Sequence, residues 1–180
     1  MLTYCEVIKS LKDADVHQRY HDKEYGFPIL EDDELFARLV LEINQAGLSW
    51  TTILKKKENF YRAYDNFNIE TVAAYKKREV NRLLNDAGII RNRLKIEAAI
   101  HNAGKIIELK KEFASFKKWL DANHPMDKEQ WVKLFKKTFR FTGGEIVNEF
   151  LVSTGYLPGA HQKNCPVYKK VLKLKPAWSW

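Results

Sequence analysis

Long hydrophobic runs, cysteines and familiar catalytic motifs are scarce or missing in this chain of 180 residues. No apolar run approaches the length of about 18 residues that a membrane-spanning helix needs. The two cysteines are too few for a disulfide framework. The N-terminal segment carries Glu6, Asp13 and Asp15 and no apolar stretch, so we expect no secretory signal peptide, no membrane partner and a cytoplasmic protein in a reducing compartment.

The P-loop, the glycine fingerprint of dinucleotide-binding proteins and the Ser-His-Asp motifs are also absent. The chain does contain 45% hydrophobic and 13% aromatic residues, a composition that argues against disorder. Lys and Arg number 31 against 23 acidic residues, giving a net charge of +8. This excess favours a polyanionic partner, usually nucleic acid. The alternative is a basic protein with no such partner.

Apolar residues recur at spacings of three, four and seven, which predicts an all-α fold. The first strong helix covers 32–46 and stops at Gly47. Ser49 is positioned to cap a second helix that begins at Trp50, and Asn68 to cap a third. Further along, we expect a break at 86–88, a capping box at 127–130 and a helix between two glycine stops at 143–144 and 155.

Glu42 stands out because it lies seven positions after Leu35, within the apolar stripe of the first strong helix. A carboxylate there must be paired, hydrogen-bonded or protonated, since burying it alone is costly. It is therefore either one half of an internal salt bridge or an acceptor at the floor of a pocket.

Residues 86–95 predict a tight turn between two amphipathic helices. Gly88 supplies a permissive backbone, and Arg91, Arg93 and Lys95 add positive charge. Backbone N–H groups at the start of the second helix can bind phosphate without reading a base. The segment is either a helix-hairpin-helix DNA clamp or an ordinary helical hairpin with a solvated basic end.

Two further groups of residues suit ligand binding. The spacing places three aromatic residues beside loops or helix starts, where their rings can stack on a base: Tyr20, Tyr25 and Trp50. The alternative is that they pack in the core. A Cys/His set is split between the two ends of the chain: Cys5, His21, His161 and Cys165. These residues predict a metal site, a disulfide, or two buried cysteines beside two surface histidines.

Several motifs together resemble one family, the 3-methyladenine DNA glycosylase I branch of the helix-hairpin-helix DNA glycosylases. They are Tyr-His-Asp-x-Glu-x-Gly at 20–26, Leu-Glu at 41–42, Gln-Ala-Gly-Leu-Ser-Trp at 45–50, Leu-Lys-Lys at 54–56, Asp-Ala-Gly-Ile-Ile-Arg at 86–91, Phe-x-Phe-x-Gly at 139–143 and His-x-x-x-Cys at 161–165. The resemblance covers nearly the whole chain.

The resemblance implies a small all-α, monofunctional enzyme that hydrolyses the N-glycosidic bond of N3-methyladenine in alkylated double-stranded DNA. It implies that Glu42 hydrogen-bonds the base and that Tyr20 and Trp50 stack on it. It places the DNA-binding hairpin around Gly88, at about 79–107. It also implies a structural Zn²⁺ site that joins segments at about 1–26 and 155–180 through the ligands Cys5, His21, His161 and Cys165. We expect one domain over 1–180 and a monomer.

This chain departs from the family pattern at several positions. His17 stands where the family usually has a tyrosine that lines the pocket, so we assign His17 to base binding. Tyr25 replaces a usual tryptophan, and 144–149 carries Glu145 and Glu149 in a helix that is usually more apolar. Two alternatives therefore remain: a glycosylase for another alkylated purine, and a non-catalytic, zinc-stabilised DNA-binding module.

Overall fold

In a computed structural model, residues 3–11 and 14–180 are described. They form eleven α-helices and three short 3₁₀ turns, and these residues contain no β-strand, so the all-α prediction is confirmed. Asp13, one of the acidic residues of the N-terminal segment, lies outside the described residues. The helices are α1 (Tyr4–Val7), α2 (Ala14–Lys23), α3 (Asp32–Gln45), α4 (Trp50–Ala63), α5 (Ile69–Ala73), α6 (Lys77–Asn85), α7 (Arg93–Phe113), α8 (Phe116–Asn123), α9 (Lys128–Thr138), α10 (Gly144–Ser153) and α11 (Pro166–Lys173).

Helix α3 lies at the centre of the fold. Every residue from Leu35 to Asn44 is buried, and the helix packs against α4, α7, α8 and α10. It ends at Gln45, and Gly47 adopts the left-handed conformation (φ +81°) that favours glycine after a helix. Because α3 is surrounded by other helices, a polar side chain on it is held in place by the core.

The predicted caps are present. Ser49 accepts a hydrogen bond from the Thr52 backbone at the start of α4, and Asn68 accepts one from Thr71 at the start of α5. Asp127 and Gln130 form the capping box of α9. Helices α1, α2, α8 and α11 were not predicted; α1 has only four residues, too few for any periodic pattern.

The hydrophobic core runs from Leu35 on α3 to Ala177 near the C-terminus and includes the fully buried Trp131 and Phe150. A second, smaller cluster consists of Cys5, Cys165, Val167 and Val171. It joins α1 to α11, so the two ends of the described chain meet beside the main core. Within the described residues, none of the helices has the length and apolar character that a membrane span requires.

Candidate base-binding cavity and metal centre

The four Cys/His residues from the two ends of the chain converge on one point. The possible ligand atoms of Cys5, His21, His161 and Cys165 all lie within 4.8 Å of one another. His21 Nε2 lies 3.3 Å from Cys5 Sγ and 3.2 Å from His161 Nδ1. Cys165 Sγ lies 3.8 Å from His21 Nε2. These separations suit four ligands around one ion at bond lengths of about 2.0–2.3 Å.

The second nitrogen of each histidine in this cluster has its own partner. His21 Nδ1 lies 2.7 Å from Asp22 Oδ1, and His161 Nε2 lies 2.7 Å from the Tyr25 carbonyl oxygen. A carbonyl only accepts, so His161 donates through Nε2 and leaves Nδ1 free of its proton. Such partners fix the tautomer and ring orientation that a metal-binding histidine needs. Both cysteines are free thiols, so the disulfide alternative is wrong.

Gly26 allows the segment after α2 to approach the loop that carries His161. Its φ is +79°, and a Cβ added there would lie 2.5 Å from the Ala160 Cβ. Its N–H donates to the Ser153 carbonyl at 2.8 Å. Only glycine fits at this position, because other residues are disfavoured at this φ and because there is no room for a Cβ.

Beside the cluster lies a cavity of about 380 Å³, between α1, α2, α3, α4 and α10. It contains two carboxylates, one amide, four aromatic rings and one aliphatic side chain. The lining residues are Tyr4, Val7, Tyr20, Tyr25, Glu42, Gln45, Trp50 and Glu149. The volume falls in the range typical of small-molecule sites.

Glu42 lies in this cavity and is only 4% exposed. Among residues 3–11 and 14–180, no Lys, Arg or His nitrogen lies within 4.0 Å of its carboxylate, so the salt-bridge alternative is wrong. Arg38, one turn earlier on α3, instead donates to the Tyr20 hydroxyl and pairs with Glu24. Burial raises the pKa of Glu42 to about 8, and the negative charge of Glu149 adds to this effect, whereas the charge of Arg38 opposes it.

Aromatic rings surround Glu42. Tyr20 and Trp50 meet edge to face with centroids 5.3 Å apart, and Tyr25 lies 5.6 Å from Tyr20. The Arg38 guanidinium lies over the Tyr20 ring at 5.1 Å and fixes its hydroxyl through a 3.0 Å hydrogen bond. The expectation that Tyr20 flanks a loop or a helix start is wrong, because it lies inside α2. Trp50 is the first residue of α4, as predicted.

His17, which we assigned to base binding, does not line the cavity. It is 3% exposed and lies between two side chains: Nδ1 is 2.7 Å from the Tyr4 hydroxyl and Nε2 is 2.8 Å from Thr51 Oγ1. Tyr4 lines the cavity in its place. His17 therefore does not line the cavity itself but holds the hydroxyl of Tyr4, which does.

Four cavity residues were absent from the predicted site: Tyr4, Val7, Gln45 and Glu149. Gln45 lies within a family motif, and that motif was the available signal. Tyr4 directly precedes Cys5, so the position of the Cys/His cluster places it. Glu149 shares no sequence neighbourhood with Glu42, and only the packing of α10 against α3 brings the two into one cavity.

The predicted hairpin is present between α6 and α7. Gly88 does not have a positive φ. A Cβ added there would lie 2.9 Å from Asp86 Oδ1 and 3.2 Å from the Asn59 Cβ, so the turn is closely packed at this position. The Gly88 N–H donates to Asp86. Arg91 and Arg93 are exposed, and the first N–H groups of α7 have no intrahelical acceptor.

Lys95, which we expected to contact DNA, lies inside the protein rather than on the exposed surface of the hairpin. Lys95 is 5% exposed, and its Nζ donates to the carbonyl oxygens of Asn44 (2.9 Å) and Ala46 (2.7 Å). These carbonyls belong to the C-terminal end of α3, where a cation is favourable. Lys95 therefore ties the hairpin to the helix that carries Glu42.

Solved structures of DNA glycosylases share this architecture. A variant of 3-methyladenine DNA glycosylase I, solved in complex with 3-methyladenine, aligns with a TM-score of 0.80 at 33% identity, covering 89% of this chain and 95% of that chain. The Staphylococcus aureus 3-methyladenine DNA glycosylase I aligns with a TM-score of 0.81 at 32% identity, covering 92% of this chain and 97% of that chain. The fold is therefore that of a DNA glycosylase.

The chain belongs to the methyladenine glycosylase family, whose sequence model matches residues 10–133. It is 36% identical over 169 residues to DNA-3-methyladenine glycosylase 1 of Escherichia coli (strain K12), covering 83% of this chain and 89% of that protein. It is 32% identical over 167 residues to the DNA-3-methyladenine glycosylase of Haemophilus influenzae, covering 82% and 89%. The family resemblance found in the sequence motifs is confirmed.

Proposed function

We propose that this protein is a DNA-3-methyladenine glycosylase, which excises 3-methyladenine from double-stranded DNA by hydrolysing the N-glycosidic bond and so begins base excision repair. The observation that carries the proposal is Glu42, a buried carboxylate without an ion-pair partner in a cavity lined by aromatic rings. Such a group destabilises the fold and is explained when a ligand supplies the missing partner. Membership of the methyladenine glycosylase family supports the same function.

The cavity suits a flipped purine cation. In the nucleotide, 3-methyladenine carries a positive charge, which the faces of Tyr20 and Trp50 attract by roughly 0.5–2 kcal/mol. The exocyclic amine donates to Glu42, an interaction that an oxo-base cannot make. Near pH 7 the empty site holds Glu42 largely protonated, and an arriving cation shifts it to the carboxylate.

The chemical step needs little acid catalysis, because the cationic base is already a good leaving group. The electron pair of the glycosidic bond passes to the base, which leaves as neutral 3-methyladenine. The sugar takes on oxocarbenium character, water adds its oxygen to C1′, and the released proton passes to solvent. The interactions of Glu42 and the rings lower the energy of the extruded state, which is otherwise unfavourable by a few kcal/mol.

We propose that Cys5, His21, His161 and Cys165 hold one structural Zn²⁺. Two thiolates and two imidazoles with fixed tautomers fit zinc better than magnesium or calcium, which prefer oxygen ligands. Four protein ligands leave no position for water, so the ion would supply fold stability rather than activate a nucleophile.

The exposed Arg91 and Arg93 beside the start of α7 support a phosphate-binding role for the hairpin, with Gly88 shaping the turn. We further propose that residues 1–180 act as one glycosylase domain, as a monomer in the cytoplasm. The alternative of a non-catalytic binding module is disfavoured, because a module of that kind gains nothing from a buried, unpaired Glu42.

The test is chromatography of bases released from duplex DNA treated with dimethyl sulfate. We expect 3-methyladenine as a principal product. Release of another methylated purine alone would replace this substrate with a different one. Binding to methylated duplex without release of any base would instead support the non-catalytic alternative.

A further inference from the structure

A second carboxylate, Glu149, faces the same cavity as Glu42. It lies on α10, is half-buried and lines the cavity together with Tyr25 and Trp50. The Tyr25 hydroxyl donates to Glu149 Oε2 at 3.4 Å, and Asn148 Nδ2 donates to Oε1 at 3.2 Å. These contacts hold the carboxylate at the cavity wall.

Neither carboxylate of the cavity has a cationic partner. Within the described chain, no Lys, Arg or His nitrogen lies within 4.0 Å of Glu149 or of Glu42. The other acid of α10, Glu145, differs: its side chain is 86% exposed and pairs with Lys128 at 3.1 Å. Neither carboxylate is therefore neutralised by an ion pair with a described side chain, and the charges of Arg38 and Lys128 reach Glu42 and Glu149 only over longer distances.

Two unpaired carboxylates in one partly buried space repel each other, and the repulsion is stronger than in water because the local dielectric is lower. The negative charge of Glu149 raises the pKa of Glu42, so the two groups interact. A proton relieves this repulsion, and so does a cation. A neutral purine of the same shape leaves it in place.

Resting on the proposed function, we infer that Glu149 is a second base-binding carboxylate, which makes the cavity select purine cations over neutral purines. The substrate class is then purines whose alkylation leaves a positive charge on the nucleotide, such as those methylated at N3 or N7. Glu42 reads the exocyclic amine, whereas Glu149 contributes charge.

The experiment compares Glu149→Gln, which keeps the shape and removes the charge, with Glu145→Gln as a matched control on the same helix. Single-turnover release of 3-methyladenine from methylated duplex DNA gives the rate. Calorimetric titration gives binding of two free compounds: 3,9-dimethyladenine, which is cationic at neutral pH, and neutral 9-methyladenine. Glu149→Asp tests rescue by a shorter carboxylate.

We expect Glu149→Gln to slow release and weaken binding of the cation about tenfold, while binding of 9-methyladenine changes less than about twofold. Glu145→Gln should change every measurement by less than about twofold, because the Glu145 side chain is exposed and does not line the cavity. Glu149→Asp should recover part of the loss. Equal weakening of both compounds would make Glu149 merely structural and overturn the inference. Wild-type behaviour of Glu149→Gln, or slower release with unchanged cation binding, would overturn it as well.

The two proposals fail in different ways. If the wild-type protein releases no base from methylated DNA, the proposed function fails and the inference fails with it. If the wild type releases 3-methyladenine and Glu149→Gln does so at the same rate, only the inference fails.

Discussion

The Cys/His cluster and the cavity lie side by side, but their buried polar groups differ in whether they have partners within the protein. In the cluster, each histidine nitrogen faces either another ligand atom or a fixed oxygen, as with His21 against Asp22 and His161 against the Tyr25 carbonyl. In the cavity, Glu42 is buried with no ion pair among the described residues. The cluster is thus complete in itself once an ion is bound, whereas the cavity is complete only with a ligand.

The comparison also shows how the two regions are joined. Tyr4 precedes Cys5, Tyr20 precedes His21, and the Tyr25 carbonyl accepts from His161. Three of the four rings that line the cavity therefore belong to residues that either precede a cluster residue in the sequence or accept a hydrogen bond from one. The cluster that joins distant segments of the chain therefore also positions the walls of the cavity, where a buried carboxylate without an ion pair is costly to the fold. Stability and function often conflict in this way.

The largest effect is expected from Glu42→Gln, which separates the two regions most sharply. Removing a charged acceptor contributes a loss of roughly 1–3 kcal/mol, so release of 3-methyladenine should fall by about tenfold to 100-fold. The variant should nevertheless bind duplex DNA normally and retain its metal. Single-turnover release measures the activity, and elemental analysis measures the metal content. Unchanged release would contradict the assignment of Glu42.

The same variant should be more stable than the wild type, with a defined pH dependence. The folded-state pKa of Glu42 is about 8, above its ordinary value of 4.5, so the folded state holds the proton more tightly. The contribution of Glu42 to the free energy of unfolding of the wild type is therefore greatest below pH 4.5, and it is lost as the pH rises towards about 8. Urea denaturation should show a difference between variant and wild type that grows with pH over this range. A difference that is constant with pH would contradict the raised pKa.

The second-largest effect is expected at the metal site, where a substitution should reduce stability more than it reduces activity. Cys165→Ser should reduce metal content and thermal stability, because the site joins distant segments and its binding energy is folding energy. The folded fraction at low temperature should keep part of its excision activity, since Glu42 and Trp50 are not ligands. His101→Asn, a histidine outside the cluster, is the control and should leave metal content unchanged.

Elemental analysis of protein purified without chelator measures the metal, and thermal denaturation measures stability. Protein that contains no zinc would overturn the assignment of the ion. Zinc that persists after both Cys5 and Cys165 are replaced would overturn the assignment of the ligands.

The sequence allowed much of this comparison to be predicted. Helix α3, its stop at Gly47 and the burial of Glu42 follow from a regular helical period over 14 residues. The cluster was predicted from the family motifs, and its convergence is confirmed. The positions of Tyr4, Glu149 and Lys95 were not predicted, because each depends on which distant element packs against it. A lysine beside two arginines suggests a basic surface, but its long stem allowed the Lys95 ammonium to reach two backbone carbonyls inside the protein.

The smallest effects distinguish Lys95 from Arg91, two cations four residues apart in the hairpin region with different surroundings. Lys95→Met should lower the free energy of unfolding by roughly 1–3 kcal/mol, because the carbonyls of Asn44 and Ala46 lose their buried donor. It should leave the salt dependence of DNA binding unchanged. Arg91→Ala should do the reverse: stability stays within about 0.5 kcal/mol, as for most surface changes, and the slope of log affinity against log salt concentration falls by about 0.9. Urea denaturation and fluorescence anisotropy over a salt series measure these quantities, with Arg78→Ala as an exposed control at the start of α6. A reduced salt slope for Lys95→Met would mean that its ammonium leaves the α3 carbonyls when DNA binds, and a sequence-selective loss for Arg91→Ala would contradict a phosphate contact.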